Sequence, residues 1–414
     1  MEFPTPRSVF LVEDRGGSFG PLTDLRPAYE LRCGICTIAE RILARCTARL
    51  EHADVNPSVV ALAEMNWDGA HVTALMERTI VHARLLTVGV LDGLAVGERR
   101  FRRDGTFLAA RLPKTADQEA LAAAVATPPT VAECAYDADI ATAPWDLTTR
   151  VGVTLEEDLS ILPNVRSFHG AVTRALRPDE GQSFGAHPII VHPSASIGPT
   201  CVFDASKGAI VIARNAVIRP LSVIVGPCVI GESSIVSERA LLKASTVIGP
   251  HCRVGGEVGG TIFQGFSNKS HDGHLGDSFV GEWVNIGAGS DNSNLLNTYG
   301  EVIVRLESDS GLVRTGRQFW GSVIGDHVKL AIGTRLMTGT TIGTGAMIAC
   351  SKPPATLVPR FSWLTDSTDG PKSFRIDKFL ETARAMMSRR SINISPAYEA
   401  CIRALHARST AAGA

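Results

Sequence analysis

From Ile212 onward an aliphatic residue returns every six positions: Ile212, Ile218, Ile224, Ile230, Val236, Leu242, Ile248 and Val254. A small or β-branched residue follows four places later, at Ala216, Ser222, Cys228, Ser234, Ala240, Thr246 and Cys252, and glycines recur close behind at Gly226, Gly231, Gly249 and Gly255. The series begins earlier, at Val191, Ile197 and Phe203, and resumes at Val280 and Ile286 and again from Ile324 through Leu330, Leu336 and Ile342 to Ile348. Neither a helix nor an alternating strand has a period of six. A hexapeptide β-solenoid does: each hexad is a short strand and a turn, three hexads close one triangular coil, and the aliphatic residue points inward onto its equivalent one coil away. The spacing predicts a parallel β-helix over 188–350. Two segments, 260–279 and 291–322, break the count and are expected to be loops thrown out from a corner, where solenoids commonly carry function.

The remaining bulk properties exclude more than they identify. With 41 Lys and Arg against 42 Asp and Glu, the net charge of −1 gives no reason to expect nucleic acid or an anionic membrane as partner. No run reaches the ~18 apolar residues of a membrane span, and the first residues lack a signal-peptide pattern. Nine scattered cysteines suit a reducing cytoplasm rather than a disulfide framework, and Cys33-Gly-Ile-Cys36, lacking a second pair, is expected to pack as small apolar residues.

Residues 1–180 have another grammar. Ser8–Val12 is a buried-strand pattern, a glycine-bearing loop follows through Gly16, Gly17 and Gly20, and helical spacing starts near Gly34 with Ile35, Ile38 and Ile42. Strand, glycine loop and helix open an α/β domain able to meet phosphates. Thr79–Leu91 and Val131–Tyr136 are further strand candidates and Gln118–Val125 a helix candidate. Residues 351–414 read as a Pro-rich linker, 352–370, then a basic helical stretch, Lys372–Arg408, capping the solenoid.

The opening "FLVEDRGGSFGPLTDLRPAYELRCGICTIAE" resembles that of sugar-1-phosphate nucleotidyltransferases through Gly16-Gly17, Pro21-Leu22-Thr23 and Arg26-Pro27. The resemblance implies a Rossmann-like fold, nucleotide contacts at Gly16, Gly17 and Arg26, and Mg2+ as cofactor if the domain is active. The departures lie at the chemistry. Ser18 or Phe19 stands where the family has its phosphate-gripping arginine, Ala28-Tyr29 follows Arg-Pro in place of lysine, and Arg84 stands in the strand whose aspartate would hold the metal. Asp14 and Asp146 remain as substitute metal ligands. Phosphoryl transfer is mostly positioning and charge neutralisation, so the domain is read as nucleotidyltransferase-like and degenerate.

The segment "SNKSHDGHLGDSFVGEWVNIGAGSDNSNLLNTYGEV", 267–302, resembles the acetyltransferase half of the bifunctional N-acetylglucosamine-1-phosphate uridylyltransferases, in particular their alternative form from Bacteroidetes-type bacteria. That resemblance implies a left-handed β-helix, a trimer with sites between subunits, and acetyl-CoA or another acyl-CoA as donor. In the family the catalytic histidine stands fourteen places before the asparagine of Asn-Ile-Gly-Ala-Gly, which selects His271 against Asn285; His274 then falls on the family's tyrosine. Asn294, Asn297 and Tyr299 become sugar contacts, and Lys329, Ala331 and Arg335 line the coenzyme A groove. The family's phosphate-binding lysine falls on Gly259, with Lys269 as a stand-in. Histidine titrates nearest neutrality and so suits removal of a proton from an attacking amine.

The expected function is acyl transfer from an acyl-CoA to the amine of a sugar or sugar phosphate, in a cytoplasmic homotrimer without nucleic-acid or membrane partners. Two alternatives stay open: an active nucleotidyltransferase consuming a nucleoside triphosphate, and a non-catalytic sugar-nucleotide sensor or scaffold. A metal site at His271, Asp272 and His274, or a plain surface loop, are competing readings of the histidine pair.

Overall fold

The computed structural model describes residues 7–13, 16–53, 77–113, 115–116, 118–367, 370 and 372–411. The first strand, β1 (Arg7–Val12), leads through a loop and two 3-10 turns into α1 (Ile38–Cys46). Thr37 starts this helix by a capping box: its hydroxyl accepts from the Glu40 amide at 3.2 Å while the Glu40 carboxylate accepts from the Thr37 amide at 2.8 Å. Strands β2 (Arg49–Ala53), β3 (Glu77–His82), β4 (Arg99–Phe101) and β5 (Phe107–Leu112) complete a sheet of order β2-β1-β3-β5-β4, parallel across the first three and antiparallel at β5 and β4. Helix α2 (Gln118–Ala126) lies where the sequence predicts it, and α3 (Pro144–Thr149) and α4 (Val151–Ser160) close the domain. Val131–Tyr136 is no strand: it is a turn with a single bridge, Arg102 to Tyr136.

The second half is the expected parallel β-helix. Its three faces are a nine-stranded ladder from Ile189–Val191 to Leu357–Val358, a ten-stranded one from Ser196–Ile197 to Lys372–Ser373, and a six-stranded one from Gly181–Phe184 to His274–Gly276. The coils pair in parallel, only the terminal Lys372–Ser373 running antiparallel to Ser362–Thr365, and the predicted aliphatics stack in register, Ile212 on Ile230 on Ile248 and Ile218 on Val236 on Val254. All six are buried, so each contributes roughly 1.5–3 kcal/mol of apolar burial.

Two expectations about this half change. The segment 260–279 is no excursion. It is a shortened coil, in which Val254 pairs with Lys269 instead of the residue a full eighteen places on, and Ile248 with Phe263. The hexad count fails there because the turns lose residues while the ladders continue. The stretch 352–370 is likewise no free linker: Leu357–Val358 and Ser362–Thr365 add another coil.

The second break, by contrast, does leave the solenoid, as an insertion between Asp291–Asn292 and Ser322–Ile324 that carries a small antiparallel hairpin, Ile303–Val304 with Val313–Arg314. Its buried Val302, Val304, Leu306 and Trp320 join the core of the N-terminal domain, where Trp320 meets Trp145 edge to face at 5.7 Å between centroids. Helices α5 (Ile376–Ser388) and α6 (Pro396–Ala411) bury Phe379, Leu380, Ala383 and Met387 of α5 and Ile402 and Leu405 of α6. They pack beside the coils, against Phe361 and Leu25, and Tyr398 hydrogen-bonds His327 at 2.9 Å. No helix among the described residues is long and apolar enough to cross a membrane.

Trp320 is 1% exposed and joins three parts of the chain. Trp320→Ala is expected to lower unfolding stability by about 3–5 kcal/mol, read from urea denaturation. A loss near that of an exposed substitution would mean that the insertion does not carry the junction.

Candidate active site

The segment 265–276 turns one corner of the solenoid. Asn268–Lys269 belongs to one face and His274–Gly276 to the next, with Ser270–Gly273 between them. Lys269 stands in an inward column, in register with Val254, where every earlier coil places an aliphatic residue. It is 2% exposed and its ammonium donates to the carbonyls of Gly255 at 2.9 Å and His271 at 3.0 Å. Burial pushes its pKa down to about 8. Lys269 therefore does not reach outward as a substitute phosphate ligand; it fixes the backbone of His271 from inside. The His271 side chain is exposed, and its ring has no hydrogen-bond partner within the described chain.

His274 is held differently. It pairs in register with Glu257 one coil away, and its Nδ1 lies 3.2 Å from that carboxylate. Glu257 also binds Lys243, the main cause that holds its carboxyl below the usual range. The His274 amide donates to Asp291 at 2.6 Å. A Cβ placed on Gly276 would come within 2.7 Å of both His274 Nε2 and Asn294 Nδ2, so the two nitrogens converge over that glycine. Asn294 donates to Asp277 at 2.5 Å, and burial raises the Asp277 carboxyl. Beneath them Asn292, buried, clamps the amide and carbonyl of Gly276 at 2.8 and 2.9 Å.

Glu257, Lys243 and Asp277 escape a reading by sequence because their proximity to His274 runs between coils rather than along the chain. Lys243 bears on the missing family lysine. A Cβ on Gly259 would sit 3.0 Å from Lys243 Cβ and 3.2 Å from its Cδ, so this stem fills the space that a side chain at 259 would take.

The other expected residues distribute over neighbouring surfaces. Asn285 is exposed on the adjacent face, in register with Asn268 and Lys329. The Lys329 ammonium turns back to the carbonyls of Trp283 at 2.7 Å and His327 at 3.0 Å, and burial lowers its pKa to about 7. Arg335 is exposed and donates to the Ser351 carbonyl at 2.6 Å, while the Ala331 carbonyl accepts from Thr334 at 2.8 Å. Asn297 and Tyr299 are exposed at the start of the insertion, Tyr299 at 68%. Trp283 stacks with Phe266 at 4.5 Å.

In the N-terminal domain the residues expected at phosphates and metal have other partners. Arg26 is 4% exposed and ion-pairs with Asp326 at 2.9 Å and Glu282 at 3.0 Å, both on the solenoid. Arg84 is buried and donates to the Ala141 carbonyl at 2.6 Å; its guanidinium lies where a Cβ on Gly17 would be, 2.4 Å away, against the glycine loop that starts at Gly16. One Asp146 oxygen accepts from the Thr142 amide and hydroxyl and the Ala143 amide, at 2.8, 2.7 and 3.1 Å, capping α3. Asp14 lies outside the described residues. Among the described residues no group of three His, Cys, Asp or Glu could hold a metal ion, and the histidine pair forms no such cluster. Cys33 and Cys36 are buried, as expected, and Cys33 accepts from Arg41 at 2.9 Å.

Residues 9–167 match a family model described as sugar nucleotidyl transferase. The chain is 32% identical over 147 residues to the bifunctional protein GlmU of Methanococcus aeolicus, a match covering 35% of each chain. Over that stretch the chain is similar to GlmU-type proteins. It is also 31% identical over 144 residues to the bifunctional sugar-1-phosphate nucleotidylyltransferase/acetyltransferase of Sulfurisphaera tokodaii, across 34% of this chain and 35% of that one. The match thus spans about a third of the length of these GlmU-type relatives. A solved structure of an Arabidopsis UDP-N-acetylglucosamine acyltransferase aligns at 13% identity over 53% of this chain and 81% of that one, with a TM-score of 0.21. The fold described above rests on this chain's own ladders.

The buried lysine gives a pH signature. The pKa of Lys269 is lowered on folding, so the folded state binds fewer protons than the unfolded one between about 8 and the ordinary lysine value of 10.5. The cost of the buried charge is present in full below pH 8 and is relieved as pH rises through that window. Lys269→Met is expected to flatten the rise of unfolding stability between pH 8 and 10.5 by up to one proton's worth. Identical slopes in wild type and variant would place this ammonium in water.

Proposed function

We propose that this GlmU-like chain transfers an acyl group from an acyl-CoA to the amine of a sugar, at the solenoid corner around His271, and that its N-terminal domain does not carry out nucleotidyl transfer. The observation that carries the reading is the arrangement of the two imidazoles: one anchored by a carboxylate, the other free, on the same turn. The name of the Sulfurisphaera tokodaii relative, which pairs sugar-1-phosphate nucleotidylyl transfer with acetyl transfer, sets the reaction class.

A general base must present an unshared pair to the substrate. The His271 ring is unengaged and its backbone is fixed by Lys269, so it can accept the proton that the amine loses as it attacks the thioester carbonyl. The C–N bond forms, the oxyanion collapses, and the C–S bond breaks to release the thiol of CoA. Backbone amides of the corner are the available donors for the oxyanion. His274, with Nδ1 held at Glu257 and Nε2 beside Asn294, acts as a fixed recognition element for the sugar in the place of the family's tyrosine. Lys243 is the cation nearest to where the family lysine would stand. The engagement of Arg26, Arg84 and Asp146 in structural contacts supports the reading of a degenerate N-terminal domain. A trimer would bring a neighbouring chain to the same corner, and nine free cysteines suit the cytoplasm.

Glu257 favours a second reading, in which His274 is the base and Glu257 its orienter. Kinetics of thiol release from acetyl-CoA over a panel of aminosugars and their 1-phosphates separate the two. His271→Ala is expected to lower kcat at least ~100-fold, while His274→Ala and Glu257→Gln mainly raise the acceptor KM. The reverse pattern transfers the base to His274. Equal thiol release by wild type and both histidine variants contradicts acyl transfer at this corner.

A further inference from the structure

The solenoid face that carries Asn268, Asn285 and Lys329 is separated from α5 by a cavity of about 460 Å³. Arg253 lines it from the coil, and Arg389 and Arg390 from the end of α5; no carboxylate is among the lining residues. Several buried or half-buried arginines of the core and the domain junction are matched to acids: Arg26 to Asp326, Arg41 to Asp158, Arg99 to Glu133, Arg360 to Asp24 and Glu307. Here the guanidinium groups of Arg253 and Arg389 have no hydrogen bond or ion pair within the described chain, and that of Arg390 has only the neutral Asn268 amide oxygen at 3.0 Å. Loss of solvent, then the proximity of Arg253 and Arg389, lowers the pKa of Arg390. Basic residues at a helix C-terminus are ordinary complements of its dipole, which accounts for Arg389 and Arg390. It does not account for Arg253, which the solenoid supplies from the opposite wall. The stacked rings of Phe266 and Trp283 give this cationic cavity an apolar side.

We propose that the cavity is a phosphate subsite, in which Arg253, Arg389 and Arg390 hold the phosphate of a small phosphorylated ligand. Guanidinium forks match phosphate oxygens, and charge-assisted bonds of this kind are the stronger ones. Asn285 on the rim connects the cavity to the acyl-transfer corner, so its assignment to that reaction rests on the proposed function; the anion site itself does not. The phosphate could be that of a sugar 1-phosphate acceptor or those of the acyl-CoA donor.

The test is equilibrium binding of pyrophosphate to the full chain by calorimetry at fixed ionic strength. Arg253 and Arg389 are exposed, so the double variant Arg253→Gln/Arg389→Gln should fold. It is expected to bind pyrophosphate at least tenfold more weakly, whereas Arg384→Gln, on the same helix but paired with Glu399, stays within twofold of wild type. Repeating the titration with CoA, dephospho-CoA, an aminosugar and its 1-phosphate names the source: the phosphate-bearing compound whose affinity falls in the double variant is the occupant. Wild type that does not bind pyrophosphate, or a double variant that binds every probe as wild type does, overturns the proposal. Arginine-dependent binding in a chain that releases no thiol removes the acyl-transfer reading and leaves the subsite in place.

Discussion

Arg26 is the constraint on which the assembly of this molecule depends. It leaves the N-terminal domain to sit between Asp326 and Glu282, carboxylates of two successive coils, and Asp326 in turn accepts from the Glu282 amide at 2.7 Å. The surrounding segment docks with it. Asp24 receives Arg360 at 2.7 Å and the Thr344 hydroxyl at 2.6 Å, and the Arg32 amide donates to Gln264 at 3.0 Å. A buried pair of this kind adds little over an apolar replacement, but losing one partner leaves charge stranded, at a cost of roughly 3–5 kcal/mol. Its role here is one of register: it fixes which coil the N-terminal domain meets.

The same residues explain why the two halves have different prospects as chemistry. In a sugar nucleotidyltransferase-like opening, the Leu-Arg-Pro segment and the strand end near Arg84 are the places where phosphate and metal would be met. Here both are committed to packing, Arg26 across the interface and Arg84 beneath Gly17. The solenoid corner is the opposite case. Its buried parts, Lys269 and Asn292, hold backbone, while His271 faces solvent and His274 is fixed but accessible. Rigid backbone beneath an open imidazole is what a proton-transfer site requires.

The repeat was legible because each inward aliphatic is a separate report of the same period. Residues 188–254 alone establish it. The shortened coil around 260–279 reads as a loop because a turn can lose residues without disturbing its ladder, and hexad counting registers only the lost residues. The inward role of Lys269 escapes the sequence for a related reason: a lysine in an aliphatic column breaks the pattern, although two carbonyls satisfy its ammonium there. The roles of Glu257 and Lys243 depend on which residues stack across coils, which the local sequence does not reveal until the register is known. Counting back from Asn285 nonetheless brought His271 and His274 to one corner. Val131–Tyr136 carried strand-forming residues, but its contacts close as turns, Glu133 to Thr130 and Cys134 to Val131.

The central claim is that the chemistry belongs to the solenoid corner and that the N-terminal domain serves as structure. Its most direct test is one reaction followed by two nuclei. The full chain is incubated with carbonyl-labelled acetyl-CoA, an aminosugar 1-phosphate, a nucleoside triphosphate and magnesium, with carbon and phosphorus NMR recorded together. The account predicts an N-acyl sugar signal growing while no pyrophosphate accumulates. Pyrophosphate release without an N-acyl product would contradict it.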